Sequence, residues 1–294
     1  DNLITRNAVR ELEKALREMT GAAPILCSGS QEAHQAGSII FRRDEGCGAE
    51  GYHVFEEGGN AVIAASSDCG WLYGAFELIH QMQMGNPLAG MEVRKEPVMP
   101  LRMLNHWDNM DGSIERGYSG NSFFFENNEI LIDERTVTYA RLLASVGING
   151  AVINNVNVKD AATWLITDRY FGRLRQLSEI FGGYGIKLFL SLNYAAPVEL
   201  GELDSADPLS EEVREWWKSR MKLVFEQIPG LGGFLIKADS EGRPGPFTYG
   251  RTHADGANML AEAADPYGGL IIWRCFVYNC RQDWRDHKTD RARS

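Results

Sequence analysis

The chain has 294 residues, 44% of them hydrophobic and 24% charged, an ordinary globular balance that excludes wholesale disorder. Forty acidic against thirty basic residues give a net charge of −10 and a pI near 5.2. That excess speaks against nucleic-acid or anionic-membrane partners, which need a cationic surface. No apolar run reaches the roughly 18 residues a membrane span requires. The opening Asp-Asn-Leu-Ile has neither an initiator Met nor a basic–apolar leader, so the numbering is expected to begin inside a longer precursor. Cys27, Cys47, Cys69, Cys275 and Cys280 are odd in number and scattered, which reads as reduced thiols rather than a disulfide framework.

In chain order, Val9, Leu12, Leu16 and Met19 share one face of a helix over 5–19. Short β-like runs follow at 38–42, 51–56 and 60–66. Asp68 is placed to cap a helix over 70–84, with Leu72, Phe76 and Ile79 on its apolar side. Strands bracketed by two helices make a small α+β unit over residues 1–95, and the Pro- and charge-rich stretch 91–100 is its boundary. Beyond Pro100 the pattern changes. Apolar runs at 101–104, 151–158, 186–193, 233–237 and 270–273 alternate with helical segments at 133–146, 169–181, 210–227 and 252–264. Near-continuous apolar strands separated by helices specify a parallel sheet covered on both faces.

A run of βα units is either a doubly wound sheet or a (β/α)8 barrel. No Gly-rich phosphate fingerprint follows the first strand, and polar residues gather just past strand ends, as at Asn105–Asp108, Asn154-Asn155, Asn193-Tyr194 and Asp239–Glu241. Both features favour the barrel, whose active sites sit at strand C-termini. Five strands are found where closure needs eight, so residues 96–294 are read as the first part of a (β/α)8 catalytic barrel, truncated after about five strands.

Three segments carry candidate chemistry. An apolar strand runs into Lys237, then into a turn holding Asp239, Ser240 and Glu241, stiffened by Gly242, Pro244, Gly245 and Pro246. A carboxyl held there can keep a raised pKa and act as a general acid, or it can be a solvated loop residue. Arg274, just past a strand, needs an anionic partner, either a substrate carboxylate or a rim acid. Residues 105–120 alternate amides, acids and aromatics, suiting either a sugar site or a loop built on Asx turns. The six histidines show no metal-ligand spacing, and no cofactor is expected. Trp216 and Trp217 are adjacent on a helix, one expected in the core and one partly exposed.

The stretches NHWDNMDGSIERGYSGN (105–121), ARLLASVGINGAVINNVNVK (140–159), GFLIKADSEGRPGPFTYGRTHADGANMLA (233–261) and WRCFVYNCRQDWRDHKTDRAR (273–293) resemble glycoside hydrolase family 67, the α-glucuronidases. The resemblance spans essentially the whole chain. It implies an inverting hydrolase that removes α-1,2-linked glucuronic acid, or its 4-O-methyl ether, from xylo-oligosaccharides during xylan degradation. Under it, Glu241 matches the general acid, Lys237 and Arg274 match residues that bind the uronate sugar, and Trp107 matches a substrate-contacting aromatic. Residues 1–95 look like the family's accessory domain. The partner implied is a small-molecule glucuronoxylo-oligosaccharide, and the full-length form is expected as a homodimer. The family's candidate bases lie downstream of the segment ending near Arg293, so this polypeptide alone is expected to be inactive or very weak. A non-catalytic sugar-binding module and a metal-dependent barrel hydrolase or isomerase are the competing classes.

Overall fold

The computed structural model describes residues 2–26, 37–117, 120–240 and 242–274. Its elements, in chain order, are α1 (Leu3–Thr20), β1 (Ile39–Arg43), β2 (Tyr52–Glu57), β3 (Asn60–Ala65), α2 (Asp68–Gln83), β4 (Glu92–Lys95), β5 (Met103–Asn105), β6 (Phe125–Glu126) and β7 (Glu129–Ile130). There follow α3 (Glu134–Ser145), β8 (Gly150–Val152), α4 (Asp168–Gly182), β9 (Lys187–Leu192), α5 (Ala196–Glu199), α6 (Glu211–Gln227), β10 (Leu231–Lys237), α7 (His253–Ala264) and β11 (Leu270–Arg274). Two compact units divide them. One takes Asp1–Arg102, Val137–Asn149 and Phe181–Ile186, and the other Met103–Thr136, Gly150–Ile180 and Lys187–Ser294.

The first unit holds a four-stranded sheet in the order β1-β3-β2-β4, with β1 parallel to β3 and the remaining pairs antiparallel. Strand β4 falls inside the stretch read as a boundary: Glu92–Lys95 is too polar to look like a strand, yet it forms the sheet's edge against β2, where one face is solvated. Helix α1 starts on the Asn2 side chain, which accepts from the Ile4 N–H at 2.7 Å, and stops at Gly21, whose φ is +73°. Its buried face follows the Val9–Met19 stripe only in part, sharing Leu12 with it. Asn7, Ala8, Glu11 and Leu12 are buried, while Met19 is 39% exposed. Glu11 can be buried because Arg141 grips its carboxylate with bonds of 2.6 and 2.5 Å and the Tyr184 hydroxyl donates at 3.0 Å. Ser67, not Asp68, caps α2, its Oγ accepting from the Gly70 N–H at 3.0 Å; Asp68 is the first helical residue. Gly74 lets α2 lie close on the sheet, since a Cβ there would stand 2.5 Å from Ile63 Cγ2.

The second unit is built on five strands, all parallel, in the order β5-β8-β9-β10-β11, the order of the sequence. All seven residues of β10 and five of the six in β9 are buried, as a sheet covered on both faces demands. Val152, Val156, Phe189 and Leu235 pack as one cluster, with Met103 and Ile272 against it. The expected strand 151–158 is cut to three residues. From Ile153 onward the chain stays buried but leaves the ladder, because the Asn154 side chain takes over its role. The Asn154 amide donates to Ser191 O at 3.2 Å and accepts from Ser191 N at 2.8 Å. The hairpin β6–β7 and the short α5 had no signal in the pattern. Trp217 is fully buried and Trp216 half-buried, its indole donating to Glu202 at 2.7 Å. Cys47 and Cys69 are free thiols, and Cys27, Cys275 and Cys280 lie outside the described residues. No described helix is long and apolar enough to cross a membrane.

Candidate active site

Because the five strands are parallel and in sequential order, their C-terminal ends share one edge of the sheet. That edge gathers Asn105–Asp108, Ile153–Asn157, Asn193-Tyr194, Lys237–Ser240 and Arg274. Lys237 closes β10 and Arg274 closes β11, and the two are register partners on neighbouring strands. Lys237 is only 5% exposed, and its Nζ donates to Asn157 Oδ1 at 2.7 Å. A buried ammonium needs such acceptors to offset lost hydration. Arg274 is half-buried. Glu241, expected as the general acid, lies outside the described residues, but the loop on either side of it is defined.

That loop turns at Asp239, a non-glycine residue in the left-handed region at φ +52°. Asp239 is buried and its Oδ2 accepts from the Phe247 N–H at 3.0 Å. Burial pushes its carboxyl above the ordinary value, and the Phe247 bond and His253 offset part of the rise. Gly245 is required at the far side of the turn: a Cβ there would stand 2.4 Å from Asp239 Cγ and Oδ2. Behind the turn, His253 accepts from the Trp273 indole at its Nδ1 across 3.2 Å. Indole N–H is donor only, so the imidazole proton sits on Nε2. Burial lowers the His253 pKa, keeping the ring neutral, although Asp239 pulls the other way. Tyr194 packs edge-on against Trp273, and burial pushes its phenol upward. Arg243, two residues past Glu241, is tied to Glu199, which takes a bond from Thr163 Oγ1 at 3.3 Å; Thr163 in turn accepts from Asn193 at 3.0 Å. The strand-end residues of β9 and β10 therefore anchor one another through side chains.

The loop after β5 is largely self-structured. Asp108 is buried and its Oδ2 accepts from Ser122 Oγ at 2.7 Å, Phe123 N at 2.6 Å and Phe124 N at 3.4 Å. Asp111 makes the expected Asx turn, accepting from Ser113 N at 2.9 Å and its Oγ at 2.7 Å. Of the two readings for 105–120, the Asx loop accounts for these acids. Trp107 is half-buried in this loop, and its carbonyl accepts from Glu115 N at 3.0 Å. His106 donates through Nδ1 to Val152 O at 2.7 Å, and burial depresses its pKa.

Asn154 and Asn155 are legible in the sequence as strand-end residues, whereas Asn157 is not singled out there. Its available signal was the Asn-Asn-Val-Asn run directly after an apolar strand, a place where Asn is disfavoured unless its amide has a task. A cavity of about 800 Å³ lies elsewhere, in the first unit, beside Glu11, Tyr52, Glu77, Lys95 and Arg141. Its buried carboxylates are already bonded, Glu77 to Tyr52 and Lys95 at 2.9 and 2.8 Å, so the sheet edge is the better candidate site. Among the described residues no group of three or more His, Cys, Asp or Glu could hold a metal ion.

Cations on adjacent strand ends beside an acidic turn are chemically suited to an anion. "Probable alpha-glucuronidase A" of Aspergillus terreus is 40% identical over 285 residues, covering 92% of this chain and 33% of that protein. "Alpha-glucuronidase" of Hypocrea jecorina is 42% identical over 250 residues, covering 83% and 29%. The chain thus spans about a third of the length of the curated relatives it matches. A solved family 115 4-O-methyl-α-glucuronidase, described as specific for decorated arabinogalactans, shares the fold at TM-score 0.56 and 15% identity, over 91% of this chain and 38% of its own. A sequence model of the glycosyl hydrolase family 67 middle domain matches residues 81–294, and the chain belongs to that family.

Proposed function

We propose that this chain supplies the proton donor and the uronate-binding side of an inverting α-glucuronidase, which releases α-1,2-linked glucuronic acid or its 4-O-methyl ether from xylo-oligosaccharides. In this reading residues 1–95 are an accessory domain and residues 96–294 the first part of a (β/α)8 catalytic barrel. The observation that carries it is the pairing of Lys237 with Arg274 on adjacent strand ends, with the Asp239 turn directly following Lys237. Lys237 and Arg274 hold the sugar carboxylate and its hydroxyls, and Trp107 offers a ring face. Glu241 protonates the glycosidic oxygen as the bond breaks.

Inversion then needs a base on the opposite face of the sugar, about 6.5–9.5 Å from the acid, with a water between. Asp239 does not fill that role. It lies two residues from Glu241, and its Oδ2 is committed to the Phe247 N–H. In this reading the base is not Asp239, and this polypeptide alone is inactive or very weak. The test is Glu241→Gln in the full-length enzyme, assayed on an aldouronic acid and on an aryl glucuronide with a good leaving group. Loss of general-acid catalysis lowers kcat on the natural leaving group by about 10²–10⁴-fold and much less on the activated one. Retention of a tenth or more of the activity on the aldouronic acid refutes the assignment.

A further inference from the structure

The loop that leaves β10 presents an aromatic ring to which no role has yet been given. Phe247 is 41% exposed, yet its backbone is fixed on both sides. Its N–H donates to Asp239 Oδ2 at 3.0 Å, and its carbonyl accepts from Gly250 N at 3.1 Å. Pro246 before it is buried, and two residues on the Tyr249 hydroxyl accepts from Ala206 N at 2.9 Å. The ring meets the His253 imidazole at 4.6 Å between centroids and 58° between planes. His253 is buried and takes the Trp273 indole N–H, and Trp273 packs edge-on against the buried Tyr194. Phe247 is thus the solvent end of an aromatic column rooted at the ends of β9 and β11, and it is held in place before any ligand arrives.

Its place on the loop says what it faces. A general acid protonates the glycosidic oxygen, and that oxygen departs with the leaving sugar, so the loop carrying the acid borders the leaving group. Asp239, which bonds the Phe247 N–H, is two residues from Glu241, at most about 7 Å of extended chain. A leaving xylose suits a phenyl ring. A β-xylopyranose carries its hydroxyls equatorially and has no hydroxymethyl group, so both of its faces are C–H surface. Those hydrogens are weakly positive and pack on the negative face of an aromatic ring while the hydroxyls stay in water. A ring already fixed by its loop also loses little freedom when the sugar arrives.

We propose that Phe247 binds the leaving group: its ring is the platform for the xylose unit from which the uronate is released. This rests on the reading of Glu241 as the acid, so the experiment separates the two. In the full-length enzyme, aldouronic acid hydrolysis is inhibited with xylotriose, the leaving group alone, and with glucuronate, the uronate alone. Wild type, Phe247→Ala, Phe247→Leu and Phe247→Tyr are compared. Truncating an aromatic anchor costs about tenfold in affinity, so Phe247→Ala weakens xylotriose by about that factor and glucuronate by under about twofold. Phe247→Leu, apolar but not flat, loses at least about fivefold toward xylotriose, whereas Phe247→Tyr keeps the ring face and stays within about threefold of wild type. Equal weakening of both inhibitors means that the ring merely supports its loop, and the proposal is overturned. It is overturned too if Phe247→Ala and Phe247→Leu stay within about twofold of wild type toward xylotriose, or if xylotriose does not inhibit wild type. Should Phe247→Ala fail to fold, the contrast of leucine with tyrosine decides. Full activity of Glu241→Gln on the same substrate would instead sink the reading of the acid, a failure seen in a different variant.

Discussion

Removing the Asp108 carboxylate should cost more than any other single truncation in the loop that carries Trp107. Its Oδ2 collects Ser122 Oγ, Phe123 N and Phe124 N at 2.7, 2.6 and 3.4 Å, and Asp108, Ser122 and Phe124 are all buried. The two short bonds are hydrogen bonds to a charged acceptor, about 1.5–3 kcal/mol each, and the third is weak. In Asp108→Ala water cannot readily replace the lost acceptor, so the expected destabilisation is about 3–5 kcal/mol. Asp108→Asn can turn one oxygen toward the same donors, and neutral bonds have roughly half the strength, so it should cost about 1.5–2.5 kcal/mol. For a unit of this size each kcal/mol is about 2–4 °C, giving a fall of roughly 10 °C for the alanine variant. Urea titration followed by intrinsic fluorescence measures both. A cost below about 1 kcal/mol for Asp108→Ala, or equal costs for Ala and Asn, would refute this account of how the loop is held.

Two further outcomes are expected. Gly245→Ala puts a methyl 2.4 Å from the Asp239 carboxyl and must displace the turn at Asp239; activity of the full-length enzyme should fall at least about tenfold, with a Tm change under about 3 °C. Its φ of −159° suits any residue, so undiminished activity would mean that the turn yields without cost to the site. Burial lowers the pKa of both His106 and His253, so the unfolded chain binds protons that the folded chain refuses. Stability should therefore be fully present above the unfolded value near 6.5 and decline as pH falls from about 7 to 5.5; urea midpoints that hold steady or rise over that window contradict it.

Periodicity made the βα alternation after Pro100 readable, because strands buried on both faces are apolar without interruption and helices recur between them. It placed α4, α6 and α7 within a residue or two of their observed ends. What it missed has a common cause: a side chain satisfying something that pattern rules assign to the backbone or to the solvent. Asn154 ends β8 early by bonding to Ser191 with its amide. Glu11 faces inward on α1 because Arg141 and Tyr184, more than a hundred residues away, answer its carboxylate. Edge strand β4 is polar because, among the described residues, its single ladder partner is β2. At the site, Lys237 and Arg274 were legible as cations past apolar strands, whereas Asn157 was not, since its partner is 80 residues distant.

These amides also bear on the proposed reading that a chain of net charge −10 seats an anion. Groups at a strand's C-terminal edge must be polar, because the ladder ends there and free peptide groups need partners. Carboxylates could serve, but each would add negative potential where the proposed reading puts the sugar's own carboxylate. Asn154, Asn155, Asn157 and Asn193 do the same bonding with neutral dipoles. Acids near the edge are individually occupied: Asp108 by three donors, Asp239 by the Phe247 N–H, Glu199 by Arg243 and Glu115 by Asn155. Coulomb interactions between exposed charges fade beyond the Debye length of about 8–10 Å, so the distant acidic surface counts for little at the site. Local composition therefore outweighs net charge: in the proposed reading, Lys237 and Arg274 meet the uronate beside neutral amides, with the nearby carboxylates engaged by other donors.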